Sequence, residues 1–534
     1  MDSSRLFRVD GRSIMPHASL CFPMIRQWMN ACLTEHGPAC AKPNDHLLPP
    51  LPTRVIDVNA FENSKDVRLC LGHDRSEPYL TLSHCWGTRL PLRSTEATFQ
   101  DRITRIPFMD LPLSFRDSIQ ITRVLGFRYI WIDSLCIIQD SAQDWATKAA
   151  RMAQVYKDSF MTIASACSSD SSGGMLLPRP GLLSCNIKTQ AGRISLRCNV
   201  DRARPFKRDD PNSSSFGRTY QRIPEYAPLT KRAWCFQEQF LSSRILYFTS
   251  SQLYWYCNSL ATCEGKFEIQ KAPYSNYSRE PRLTDAVNSS DPLRLWCMVV
   301  EGVTDRLLSY DHDKLVCLSG VASEFQKLFK SEYLAGLWAH DIHTCLVWHM
   351  HNDEYAKQAK DYRAPSWSWA ASDGQVSWGS DPRLEERWGN GDDAEILSSS
   401  VELCDPRSQF GQVKSGFLEL TATCGMAKYE PFRTESGFLS WEWEIDGWGS
   451  ESFWESSFDH YRRREFRAEF LVLQVSAWVD NLWDTDSKKT KEAYTAYLIA
   501  EPVSEGTYQR VGLGWAEGRL PENCGWERKY IKIV

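Results

Sequence analysis

The sequence predicts an α/β fold: a mainly parallel sheet in the N-terminal half, then a helical middle region and a β-rich C-terminal region. Three observations lead there. Short apolar runs alternate with helical periodicity between residues 79 and 166, the order expected of right-handed strand–helix–strand crossovers. The run Tyr129–Asp133 (YIWID) is almost wholly apolar, as suits a strand covered on both faces. From about Trp367 onward the chain becomes tryptophan-rich and strand-like, with FLELTATC, FLVLQVSAWV, AYTAYLIAEPV and a terminal KYIKIV.

Taken in order, residues 1–50 mix turn formers with apolar residues and end in LLPPLPT, a proline-punctuated linker. Strands are expected at Arg54–Val58, Val67–Leu71 and Tyr79–Ser83. After Pro112 the period changes: Phe115, Ile119, Thr122 and Leu125 or Gly126 share one helical face, and Gly126 is a natural stop. A second helix is expected from about Ala142 to Tyr156, with Trp145, Ala149, Met152 and Tyr156 on one stripe, followed by a strand at Met161–Ala166. Residues 168–230 lose periodicity and read as loops. KRAWCFQEQFLSSR then reads as a helix and ILYFTSSQLYWYC as strands, while residues 266–365 carry mainly helical patterns and 366–534 form the β-rich region.

Composition excludes several classes. The 534 residues carry 62 Lys+Arg and 67 Asp+Glu, a net charge of −5, which does not suit general binding to nucleic acid backbones. The first thirty residues show no apolar segment after a basic start, and no uncharged run approaches the about 18–20 residues of a membrane span. A cytoplasmic protein with reduced thiols is the expectation. Two counts stand out, 21 Trp and 18 Cys. No cysteines form a C-x-x-C pair, and the closest spacings, Cys257 to Cys263 and Cys32 to Cys40, suit neither a zinc knuckle nor a redox pair. Their neighbours are apolar or aromatic, so buried packing and no metal site are expected.

Four phrases resemble the fungal heterokaryon-incompatibility (HET) domain family. They are YLTLSHCWG (79–87), LPLSFRDSIQITRVLGFRYIWIDSLCIIQDSAQDW (111–145), MAQVYKDSFMTIAS (152–165) and LTKRAWCFQEQFLSSRILYF (229–248). They occur in order and place a HET domain over residues 51–265, with core motifs at 79–248. The motif positions are Ser83, His84, Trp86 and Gly87 in the first phrase, and Trp131, Asp133, Cys136, Gln139 and Asp140 in the second. Met152 and Tyr156 follow in the third, and Trp234, Gln237 and Glu238 in the fourth. The resemblance implies signalling in non-self recognition, with programmed cell death or growth arrest as its output, through protein partners or self-association. HET domains are also distantly similar to Toll/interleukin-receptor (TIR) domains, which have a flavodoxin-like parallel sheet. That likeness implies an alternative, NAD cleavage by a glutamate in a crevice at the sheet edge, with NAD as the one cofactor and none otherwise.

The residues themselves offer several candidates. In an open parallel sheet, ligands sit beyond the carboxyl ends of the strands. If YLTLS and YIWID are neighbours, His84, Asp133 and Cys136 converge on one crevice and could supply base, orienter and nucleophile. Against this, Cys136 lies in the apolar phrase LCII, whereas a reactive thiol needs an electropositive, accessible setting. The resemblance implies a glutamate or glutamine in the helix after Asp144-Trp145, where this chain has Lys148 in DWATKAARM; that leaves Glu238 as the carboxylate for NAD cleavage, otherwise a capping or pairing residue of its helix. His340, His343, His349 and His351 cluster in sequence, but packing among Trp338, Trp348 and Cys345 is expected of them rather than metal binding. Neither a dinucleotide fingerprint nor a P-loop occurs. The basic segment 202–222 is interrupted by Asp209 and Asp210 and reads as a solvated loop.

Overall fold

The computed structural model describes residues 15–40, 48–87, 91–179, 184–189, 192–197, 227–265, 281–351, 357–378, 394–433, 439–445, 454–458, 468–483, 489–517 and 525–534. The chain divides into two compact units, Met1–Asn288 and Ser289–Val534.

In the first unit, helix α1 (Phe22–Thr34) lies within the N-terminal segment, for which turn formers mixed with apolar residues and no helix are expected. Pro23 stands in the first turn, where its missing N–H has no helical partner to lose, and Ile25, Trp28 and Cys32 form the buried face. The sheet follows: β1 (Arg54–Asp57), β2 (Arg68–Leu71), β3 (Tyr79–Ser83), β4 (Tyr129–Trp131) and β5 (Met161–Ser165). Between these strands lie α2 (Phe99–Thr104), α3 (Leu113–Val124), the short α4 (Asp133–Cys136) and α5 (Ala142–Asp158). After β5 come a hairpin, β6 (Ser184–Thr189) with β7 (Gly192–Arg197), then α6 (Ala233–Leu241), β8 (Arg244–Phe248), β9 (Leu253–Cys257), β10 (Ala261–Cys263) and α7 (Leu283–Asn288). The hairpin replaces part of the loop expected over 168–230, and segment 202–222 lies outside the described residues.

The spatial order is β10-β9-β8-β5-β3-β4-β1-β2. Four central strands, β4, β3, β5 and β8, run parallel, while β1 and β2 on one side and β9 and β10 on the other pair antiparallel. The sheet is therefore mixed, not mainly parallel. Parallel neighbours need a crossover, and the helices supply one between β3 and β4, β4 and β5, and β5 and β8. The flanking strands lack such helices: β8, β9 and β10 follow one another through tight turns, and a tight turn reverses the strand. The chain passes from β3 to β4 on one side, then back across β3 to β5 on the other, so its direction of winding switches at β3. The crevice beyond the carboxyl ends of β3 and β5 is where such a switch leaves room.

β3 and β4 are buried along their whole length, which accounts for runs as apolar as YLTLS and YIW. Polar residues of the central strands pair with one another and with the end of α6: Thr81 Oγ1 meets Thr162 Oγ1 at 2.7 Å, and Thr162 Oγ1 meets Ser242 Oγ at 2.5 Å. Helix α3 stops as its sequence indicates, with Gly126 at φ +87°. In α5, Met152 and Tyr156 face the core, but Trp145, placed on that stripe by periodicity, is 38% exposed in the first turn.

The second unit carries α8 (Pro292–Thr304), α9 (Ser319–Phe329) and α10 (Ile342–Leu346) around an aromatic core. Trp296, Trp338, Trp348, Trp367 and Trp369 are fully buried. Two indole N–H groups, of Trp296 and Trp369, donate to the single carbonyl of Gly336 at 3.1 and 3.0 Å. Gly336 itself sits at φ +102°, and a side chain there would strike the Trp369 ring. The β-rich region closes on itself. Strands Val413–Arg433, Ala468–Trp483, Lys489–Ser504, Thr507–Glu517 and Glu527–Ile533 pair in sequence, and the last returns to pair with the first. Among the described strands, Glu395–Leu403 and Trp454–Phe458 stand at the ends of the sheet, paired with the first and the fourth of these strands.

Candidate functional site

The carboxyl ends of β3 and β4, with α5 and α6, assemble a small buried polar cluster. β3 delivers Ser83, His84 and then Trp86 as it leaves the sheet; β4 delivers Asp133 one residue beyond Ile132. The chain escapes β3 at Gly87, whose φ is +76° and whose missing side chain leaves room for Asp170, a contact a Cβ would make at 2.2 Å.

Asp133 is the hub of this end. Its Oδ2 accepts from Trp86 Nε1 at 2.8 Å, its Oδ1 from the Ser134 N–H at 2.7 Å, and its Oδ1 lies 3.8 Å from His84 Nδ1. Its backbone carbonyl accepts from Gln139 Nε2 at 3.2 Å, which ties the following turn to it. His84 is buried against Phe115, edge-on at 5.0 Å, and its Nε2 has no hydrogen-bond partner. Burial pushes its pKa down from 6.5 to about 4, with Asp133 acting against the shift, so the ring is neutral near pH 7.

Glu238 enters from α6 and is 7% exposed. Burial raises its carboxyl from 4.5 to about 7; Asp133 adds to the rise, and the Ser83 hydroxyl, Arg232 and the Tyr156 hydroxyl work against it. One carboxyl oxygen, Oε2, is buried with no hydrogen-bond partner. Arg232, just before α6, donates from its guanidinium to the His84 carbonyl at 2.6 Å. Burial disfavours its charge, but Cys235, Glu238, Cys85 and Asp133 around it raise its pKa above the ordinary value. Tyr156 crosses from α5, packs edge-on against Trp131 at 5.7 Å and donates to the Leu82 carbonyl at 3.2 Å. Beneath Glu238, Ser242 Oγ donates to its backbone carbonyl at 2.6 Å and continues into the Thr162–Thr81 chain.

The structure thus brings Ser83, His84, Trp86, Asp133, Tyr156 and Glu238 together, around Arg232. It does not bring in Cys136. That thiol is buried in α4, and burial pushes it up to about 12; the Cys85 thiol is likewise pushed to about 11. Neither is poised as a nucleophile at neutral pH. Asp140 is elsewhere, accepting from the Glu96 N–H at 2.9 Å, and Met152, Trp234 and Gln237 contribute packing positions on α5 and α6. Lys148 donates to Thr53 Oγ1 at 3.0 Å and lies 4.0 Å from Asp144.

Sequence reading missed Arg232 and a further ion pair, buried Arg54 with half-buried Asp144. Arg54 donates to Asp144 and, through Nε, to the Cys136 carbonyl at 2.8 Å, while Asp144 accepts from the Ile138 N–H at 2.9 Å. Charged residues inside two of the quoted phrases, KRAW and QDW, were the available signal. Among the described residues one group of metal-ligating side chains comes together: Cys32, His36, Cys40 and Cys257. The histidines of residues 340–351 do not form one ligand group: His340 lies on Phe329, His343 Nε2 meets the Ala394 carbonyl at 2.5 Å, and His349 packs against Trp515.

Residues 79–238, the span from the start of β3 to Glu238, match the family model described as Heterokaryon incompatibility protein (HET). No curated protein and no solved structure matches the chain.

Proposed function

We propose, from the premise that this chain carries a HET domain, that it is a signalling protein of non-self recognition whose HET domain triggers programmed cell death or growth arrest. The observation that carries the reading is the family match over residues 79–238, whose C-terminal limit is the buried Glu238. The cluster at the sheet's switch point supports it as the effector end: neutral His84, Asp133, Arg232 and a desolvated Glu238 form a polar centre inside an otherwise apolar core. Partners are other proteins or further copies of this chain, at a cytoplasmic location, without nucleic acid. No described helix is long and apolar enough to cross a membrane. Overexpression of the full chain in a fungal host, with viability scored, is expected to kill or arrest, and Asp133→Ala is expected to abolish this at unchanged protein level. Unimpaired growth with abundant folded wild-type protein would sink the reading.

A second reading has a specific observation behind it. Glu238, held near half-protonation at pH 7, fits the carboxyl of a TIR-like NAD glycohydrolase, where such a group stabilises an oxocarbenium-like centre. The order β4-β3-β5-β8 of the parallel strands, 2-1-3-4 in chain order, is that of flavodoxin-like sheets and supports the kinship. Purified protein, dispersed and artificially clustered, is mixed with NAD and assayed for nicotinamide. Release that Glu238→Gln abolishes would favour this reading; killing without any release would leave the first alone.

A further inference from the structure

The N-terminal helix ends in a sequence that no cysteine-pair count singles out: Cys32, His36 and Cys40, spaced C-x-x-x-H-x-x-x-C. α1 carries Cys32 in its last turn and stops at Thr34. Gly37 then adopts φ +57°, with open space where a side chain would be, so it is the backbone conformation that selects glycine there. A single 3-10 turn, Gly37–Ala39, opened by Pro38 and closed by the Cys40 N–H on the Gly37 carbonyl at 3.2 Å, swings Cys40 back under His36. From the far side of the sequence, β9 ends at Cys257, and the next turn holds the segment in place, Asn258 Nδ2 donating to the Ala39 carbonyl at 2.9 Å.

The result is four ligand atoms within 4.8 Å of one another, three sulfurs and one imidazole nitrogen, with Cys32, Cys40 and Cys257 all buried. His36 Nδ1 lies 3.5 Å from Cys40 Sγ and 3.3 Å from Cys257 Sγ. A tetrahedral zinc ion with bonds of about 2.3 Å to sulfur and about 2.0–2.1 Å to nitrogen spaces sulfur from nitrogen by about 3.5 Å and sulfur from sulfur by about 3.8 Å. The existing separations require only small adjustment.

We propose that Cys32, His36, Cys40 and Cys257 form a structural zinc site that clips the N-terminal helix to the β8–β9 strand pair at the end of β9. Three thiols and one imidazole fill a tetrahedron with no open position, the pattern of structural rather than catalytic zinc, and thiolate softness selects zinc over magnesium or calcium. On binding, the three thiol protons leave to solvent and His36 ligates through its neutral Nδ1, so that Zn²⁺ with three thiolates carries one net negative charge. The outer shell supplies the balance. Buried Arg244 donates Nε to Cys32 Sγ at 3.2 Å and holds its guanidinium there by donating to the carbonyls of Cys40 at 2.7 Å and Phe160 at 3.2 Å. Cys40 Sγ donates to Ser259 Oγ at 3.4 Å, and once the thiol has given up its proton on metal binding the hydroxyl can donate to the thiolate instead. Arg244 opens β8, which follows α6 and Glu238 directly, so the clip also steadies the strand from which the candidate site's helix hangs.

The full chain purified from zinc-supplemented cells is expected to retain one zinc per chain by elemental analysis. Exchange for Co²⁺ is expected to yield the d–d and thiolate charge-transfer bands of a tetrahedral site. Cys257→Ser should lose the metal, whereas His36→Cys, which preserves four ligands, should keep it with cobalt bands shifted toward an all-thiolate pattern. Trp28 and Trp255 stand 6.4 Å apart across the same junction, so chelation should change tryptophan emission in wild type. A wild-type chain that binds neither Zn²⁺ nor Co²⁺ would overturn the proposal, as would alkylation mapping that finds two of these cysteines in a disulfide. If Cys257→Ser fails to fold, the wild-type cobalt spectrum and His36→Cys still decide.

Discussion

At the scale of single residues, the cluster is governed by what burial does to two titrating groups of opposite kind. An unfolded Glu238 carboxyl loses its proton near 4.5 and the folded one near 7, so between those values the folded state holds the extra proton and stability falls as pH rises. An unfolded His84 ring takes a proton below 6.5 while the folded ring stays neutral to about 4, so stability falls as pH drops through that window. From 4.5 to 6.5 the two slopes oppose each other. Glu238→Gln removes the first and is expected to expose the second: stability climbing from pH 4 to 6.5 by up to about 3 kcal/mol, at about 1.4 kcal/mol per pKa unit. Urea melts of both proteins across this range check it; parallel profiles would contradict the assignment. That Glu238 would be buried was not legible in FQEQF, because a glutamate on a nine-residue helix reads as surface until the sheet beneath it is known.

At the scale of elements, the strand ends separate packing from polar function. Trp131 is buried in β4 and meets Tyr156 of α5, so Trp131→Ala is expected to lose about 3–5 kcal/mol by cavity formation. Asp133→Ala removes the acceptor for Trp86 and the Ser134 N–H and should cost about 1–2 kcal/mol. Chemical denaturation compares the two. If Asp133→Ala were the worse, Asp133 would be a keystone of folding and a poor probe of signalling. Strands and helices were legible where one period ran uninterrupted, as in YLTLS, YIWID and the α3 face. α1 was missed because the prolines and glycine around it dominated the reading, although Ile25, Trp28 and Cys32 keep helical spacing. Trp145 was misplaced because a periodic stripe does not say where along a helix the neighbouring element ends.

For the whole molecule, the excess of tryptophan and cysteine resolves differently in the two units. In the second unit Trp296, Trp338, Trp348, Trp367 and Trp369 are fully buried, and Arg510 stacks 3.6 Å over Trp348. The cysteines with described side chains are mostly buried, Cys404 being exposed and Cys70 and Cys167 half-buried. Among these cysteines, brief labelling of the native chain with a thiol reagent, mapped by mass spectrometry, is therefore expected to modify Cys404 first, and Cys136, Cys297 and Cys317 only on unfolding. Rapid labelling of Cys136 would contradict its place in the core and reopen it as a nucleophile.

By itself the sequence determined the α/β character of the first unit, the β-rich C-terminal region and the HET resemblance, because each rests on local periodicity or on contiguous phrases. Only the tertiary structure decided that the sheet is mixed, since strand direction depends on which strands become neighbours and on the length of the connections between them. It alone closed the C-terminal strands into a ring and set Arg232 and Glu238 beside His84 and Asp133. It also joined Cys257 to Cys32, His36 and Cys40. Those partners stand some two hundred residues apart, and no spacing rule reads a ligand set that only folding assembles.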